Sequence, residues 1–470
     1  MSGCTGESNF HAVVSDRQCA TVFCSTTLSI ALSCASFTSR NPASRQCATQ
    51  VEQHKKNNNM SHKYTLTFVF VTLLIDSIGF GIILPVMPQL IMDVSGAGLS
   101  NAARYGGWLM MIYALMQFLF SPIMGNVSDR FGRRPVLLLT LLLLGIDYLV
   151  MAWAPTLIWL FVGRMVAGIA ASTYSTCYAV IADSTPAEKR TQTFGLVGAA
   201  FGVGFIVGPV IGGLLGEYGA RLPFMAAACL AFANLVFGFF VMPETLPQEN
   251  RRAFDWRRAN PTGTLMALRK YPMVIGMISA YFLFMMGHHA LPSTWTYYTI
   301  EKFAWSEREV GYSFAFVGIL MVLTQAVLLR RVLPIIGQHK AALIGFTFCI
   351  VSFLGYAFAS SGWVLYLFMI PGALQGFVMP SINGITSGQV PANAQGELQG
   401  GMASMSSLTS IISPLLMTSI FAFFTAQNAP VYFPGASFFF AAVLTGCSVL
   451  VFMRAVRGGI IQAEAKQART

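Results

Sequence analysis

Charge is what this chain has little of. Charged side chains make up 10% of its 470 residues, against about 25% in a soluble domain whose surface water must solvate. The shortfall excludes an ordinary soluble globule, because most of the surface must face something other than water. Three further absences narrow the reading. No phosphate-binding glycine loop is present, so no bound nucleotide drives the protein. No series of short alternating strands is visible, which excludes a transmembrane barrel. No cysteine pairing or metal-ligand spacing occurs past residue 59: Cys177, Cys229, Cys349 and Cys447 lie singly in apolar runs and read as small packing residues. His288 and His289 are adjacent, near the outer end of a span. Neighbouring helical side chains point to different sides, which argues against a metal site.

What is there is hydrophobic length. Hydrophobic residues are 55% of the chain, gathered in runs near the roughly 20 residues that cross a bilayer core as a helix. Twelve runs are read: 65–86, 104–124, 135–153, 157–181, 193–216, 222–242, 273–293, 309–329, 340–359, 362–386, 398–424 and 432–453. In lipid every backbone polar group must be paired within the segment, so these runs are helices. The fold expected is all-α integral membrane, with twelve transmembrane helices. Basic residues crowd alternate loops, including Arg130, Arg133, Arg134, Lys189, Arg190, Arg330, Arg331 and Lys340, whereas the opposite loops carry only Arg104, Arg221, Lys302 and Arg308. Basic loops stay cytoplasmic, which puts both ends of the chain in the cytoplasm. The net charge of +11 then reports topology rather than a nucleic-acid partner.

Residues 243–272 are polar, Arg-rich and too long for an ordinary connection, so they read as a cytoplasmic linker. They divide a six-helix half at 60–242 from a second at 273–453, followed by a cytoplasmic tail at 454–470. Transporters are often built from such halves, with substrate held between them near the midplane. Residues 1–59, rich in Ser, Thr and Cys, fall outside the scheme. We read them as an extension from an upstream start, with the working protein opening at Met60; a disordered extension and a signal sequence are the alternatives.

Within this frame a few polar residues carry chemistry. The short loop after the second span reads Gly125-x-x-x-Asp129-Arg130-x-Gly132-Arg133-Arg134. Its glycines permit tight turns or close approach, its arginines bind the anionic leaflet, and Asp129 pairs with an Arg or sits at a helix N-terminus. Arg164, in Gly163-Arg164-Met165-Val166-Ala167-Gly168, is costly inside a span unless partnered or snorkelling to the surface. Gly202, Gly204, Gly208, Gly212 and Gly213, with Pro209, let the fifth span pack backbone to backbone and bend. Asp76 and Asp147 lie well inside spans, where a charged carboxylate is disfavoured and a reversible proton carrier is favoured. Either is a candidate for proton coupling, with Arg164 tuning it; the alternative for each is a structural hydrogen bond. Gln117, Tyr113, Gln325, Gln375 and Asn383 are the candidate substrate contacts.

These motifs resemble those of the major facilitator superfamily. The loop resembles its inner-face latch, Arg164-x-x-x-Gly168 its fourth-span motif tied to proton coupling, and the Gly-Pro helix its antiporter signature. "LIDSIGFGIILPVMPQL", "IDYLVMAWAP" and "QGELQGGMASMSSLTSIISPLL" resemble the tetracycline efflux branch. The resemblance implies a secondary transporter in the bacterial inner membrane that exports a tetracycline, chelated to a divalent cation, in exchange for a proton. Exporters of other amphiphiles share the fold and form the second reading. Two departures stand out: Met321 and Cys349 occupy positions where those pumps carry a His and an Asp.

Overall fold

The computed structural model describes residues 42–171, 173–185, 190–252, 272–391 and 395–467. Most of the extension 1–59 and residues 253–271 of the linker lie outside the described residues. Lys63–Thr470 form one compact unit, which contains everything below except the start of the first helix.

Among the described residues every long element is a helix and no strand occurs. Eleven helices among these residues are long and apolar enough to cross a membrane. One, Glu307–Phe358, has 52 residues and would be about 78 Å long if straight, far beyond a bilayer core of about 30 Å. Gly337, at φ 75° and ψ 165°, breaks it, so this stretch supplies two spans and the expected twelve are present.

The helices are α1 (Pro42–Ser95, apolar over Thr65–Ser95), α2 (Leu99–Phe131), α3 (Arg133–Trp153), α4 (Leu157–Ser184), α5 (Arg190–Gly216) and α6 (Leu222–Val241). The second half holds α7 (Met273–Phe303), α8 (307–336), α9 (338–358), α10 (Gly362–Ser387), α11 (Gln395–Thr425) and α12 (Ala436–Gln467). Large apolar side chains cover the outside: Trp363 is 83% exposed and Phe240 80%. Soluble monomers do not leave such a surface to water; here it faces lipid.

The halves meet through α5 against α8 and α2 against α11. Glycine explains the first contact. A methyl on Gly208 would lie 2.5 Å from the Ile78 carbonyl oxygen, and one on Gly212 would collide with that of Ile82, so α5 and α1 touch backbone to backbone. A methyl on Gly213 would lie 2.5 Å from the Glu307 carbonyl oxygen, which brings α8 against the next face. Gly202 differs: a methyl there meets only Val322 at an ordinary 3.5 Å.

At the end away from the basic loops, the two halves are tied by hydrogen bonds. Thr296 Oγ1 donates to the Leu84 carbonyl at 2.9 Å, and the Ser100 and Thr425 hydroxyls lie 2.8 Å apart.

Candidate functional site

Between the halves lies a cavity of about 600 Å³ with a mainly apolar wall, within the usual size of a small-molecule site. Helices α1 to α5 supply one wall, and α7, α8, α10 and α11 the other.

The first wall holds the acids. Asp147, fully buried, accepts from Arg164 Nη2 at 2.6 Å, and Arg164 is 7% exposed. Arg164 is therefore partnered inside the protein and does not snorkel. The Arg164 guanidinium also lies over the Tyr113 ring at 5.9 Å. Gly163 makes room for the pair, because a methyl there would come within 2.9 Å of Asp147 Oδ1. Asp76 is also buried, but its Oδ1 has no hydrogen-bond partner. The two acids read alike in sequence are thus unlike in structure: one sits in an ion pair, and the other faces the cavity alone.

Tyr113, Gln117 and Gln375 line the cavity. Gln325 and Asn383 do not. Gln325 falls in a π-helical turn, Thr324–Leu328, and is exposed; the wider turn rotates it off the face that Met321 presents to the cavity. Asn383 lies eight residues beyond Gln375 on α10, about 12 Å along the helix axis, and is half-buried.

The structure adds His288 and His289, both of which line the second wall. They lie inside α7 rather than near its end, because the helix runs on to Phe303, and their rings, 6.5 Å apart and inclined at 63°, both reach the cavity. Among the described residues no group of three or more metal-ligating side chains exists.

The basic loop forms a second constellation. Gly132 has φ 105°, a backbone open to glycine and strained for other residues. The turn between α2 and α3 brings Arg133 Nη1 within 2.6 Å of Asp129 and Arg133 Nε within 3.1 Å of Asp183 on α4. Arg133 Nη1 also donates to Ser128 Oγ at 2.6 Å. Glu244, past α6, accepts from the backbone N–H of Arg133 at 2.9 Å and of Arg134 at 3.3 Å, and these groups open α3, where a carboxylate caps the helix dipole. Arg134 Nη2 donates to the Phe239 carbonyl at 2.6 Å. Arg130 is exposed and stacks on Phe131. Gly125 lies inside α2 with open space beside it, so it makes neither the tight turn nor the close approach expected. Asp183 and Glu244 had no sequence signal: they sit 50 and 111 residues from Arg133.

A family model described as Major Facilitator Superfamily matches residues 69–414 and 280–467. The chain belongs to the major facilitator superfamily. It is a multi-pass membrane protein and a secondary transporter, not an enzyme. The class C tetracycline resistance protein of Escherichia coli is 39% identical over 367 residues, covering 78% of this chain and 91% of that protein. The class H protein of Pasteurella multocida is 33% identical over 388 residues, covering 82% and 94%. Among solved structures, that of the human organic anion transporter MFSD10 (TETRAN) matches with a TM-score of 0.61 and 25% identity. That match covers 83% of this chain and 99% of the other.

Proposed function

We propose that the chain is a proton-coupled antiporter that exports tetracycline-class drugs from the cytoplasm and confers antibiotic resistance. It would act in the bacterial inner membrane, with both termini cytoplasmic. The observation that carries the reading is the unpaired Asp76 carboxyl in the wall of an apolar, drug-sized cavity. A carboxylate there is stabilised by taking a proton or by meeting a ligand's positive charge. Proton and drug therefore compete for one group, which is the requirement of exchange. The buried Asp147–Arg164 pair sets the field beside it. The names of the relatives support a tetracycline as cargo.

Met321 borders the cavity, and Cys349 contacts Gln375 Oε1 at 3.7 Å. Neither is a good ligand for a hard divalent cation. The proton is assigned to the first half, and a chelated cation would travel as part of the cargo. Arg133 with Asp129, Asp183 and Glu244 acts as the latch of the cytoplasmic end, where the same loop must form and release these contacts as the halves rock.

The test is tetracycline susceptibility of a sensitive bacterium expressing the full chain, beside Asp76→Asn. Expression should raise the inhibitory concentration several-fold, and Asp76→Asn should abolish that gain at equal membrane levels. Unchanged susceptibility with normal membrane levels would turn the reading to export of a different amphiphile. Full pH-gradient-driven transport by Asp76→Asn would overturn the coupling assignment.

A further inference from the structure

We propose that His288 and His289 form the second-half anchor of the substrate site and select amphiphiles bearing an acidic hydroxyl: an enol, a phenol or a carboxylic acid. The proposal rests on the cavity being the transport route, as above.

Two successive imidazoles of α7 line one cavity wall. Each has a partner that decides where its proton sits. His288 Nδ1 is 3.0 Å from Gln375 Oε1. A carbonyl oxygen accepts only, and the Cys349 thiol also approaches that oxygen, so Nδ1 carries the hydrogen and Nε2 is left as a basic lone pair. Ser410 Oγ donates to the Ser406 carbonyl at 2.9 Å. Its single hydrogen is thereby used, so at 3.3 Å it accepts from His289 Nε2, and Nδ1 is the lone pair of that ring. Two neutral imidazoles thus offer two acceptor nitrogens on the wall opposite Asp76.

The charged groups lining the cavity are Asp76, Asp147 and Arg164, all on the first wall, and Arg164 is already engaged by Asp147. An acid entering this site meets no free cation among the described residues. It can still bind a basic nitrogen: O–H···N and O⁻···H–N⁺ are one hydrogen bond with the proton in two positions. Neither form leaves an uncompensated charge in an apolar cavity.

The pair is also held firmly. Further along α7, Trp295 Nε1 donates to Ser313 Oγ at 2.9 Å, the Tyr298 hydroxyl donates to the Tyr356 carbonyl, and the Trp295 and Tyr356 rings pack at 5.2 Å. A site whose backbone is packed this way loses little freedom when a ligand arrives.

The test measures binding of three probes to purified full-length protein: tetracycline, an anthracene carboxylate and the tetraphenylphosphonium cation. His288→Phe and His289→Phe keep the ring volume and remove the nitrogens, while His289→Gln restores an acceptor. Each Phe variant should weaken the two acidic probes by about tenfold, the effect of one lost hydrogen bond in a dry site, and leave the phosphonium unchanged. The Gln variant should recover most of the loss. Equal loss for all three probes, or none for the acidic two, overturns the proposal. If the unsubstituted protein binds the carboxylate through the histidines but not tetracycline, the histidine site stands and the tetracycline reading falls. If it binds tetracycline and the Phe variants bind as tightly, the reverse holds. Failure to bind either acidic probe removes both.

Discussion

At the scale of single residues, the working distinction is between a charge with a partner and one without. Asp147 and Arg164 are buried together at 2.6 Å. Removing one member of such a pair strands the other, at a cost of about 3–5 kcal/mol, whereas replacing both with neutral groups costs much less. Asp147→Asn should therefore lower the thermal unfolding midpoint in detergent markedly, and adding Arg164→Gln should restore most of it. A double variant less stable than the single one would show that the pair is not the source. Asp76 has no such partner, so Asp76→Asn should leave stability nearly unchanged while stopping exchange. These roles were only half legible. The spacing of each acid within its span marked both as functional, but the arginine lies 17 residues from Asp147, and which acid it meets depends on how α3 and α4 pack.

At the scale of helices, glycine position determines which faces can touch. On α5, Gly212 abuts the α1 backbone while Gly202 meets a side chain at ordinary distance. Gly212→Ala should force α5 from α1 and abolish transport, since overpacking costs about 1–3 kcal/mol and backbone cannot yield as a side chain can. Gly202→Ala should preserve transport and stabilise the helix by up to about 1 kcal/mol. Transport assays and melting curves on the two variants check both. Equal damage at the two sites would mean the stripe acts through flexibility rather than close packing. In sequence the five glycines form a single motif, and a repeat cannot say which of its members faces a neighbour's backbone and which faces a side chain. The cavity face of α7 was equally hidden: "MMGHHALPS" does not say which neighbouring helices leave a space beside His288 and His289.

For the whole molecule, the contacts between halves set which side is closed. Ser100 and Thr425 meet at 2.8 Å at the end away from the basic loops, and Thr296 holds Leu84 nearby. If transport requires this end to open, joining Ser100→Cys to Thr425→Cys by a disulfide should stop transport, and reduction should restore it. Each single cysteine variant should remain active under oxidation. Continued transport by the fully oxidised double variant would show that the halves need not part here. The cavity lies between these ties and the Arg133 contacts of the basic loop, so a cargo bound in it would be released to one side only after one set of contacts opens.

The sequence by itself determined that the chain spans a membrane as helices, where most spans begin and end, and which family it joins. Those properties depend on local length, hydropathy and short motifs, and lipid leaves a hydrophobic run no alternative to helix. Tertiary structure decided the rest. It paired Arg164 with Asp147 and left Asp76 alone, closed Arg133 on Asp183 and Glu244, and turned Gln325 away from the cavity. It also set two histidines of α7 at the wall of the site. Each of these outcomes depends on which helix faces arrive side by side, and that is set by packing across tens to hundreds of residues rather than by any local pattern.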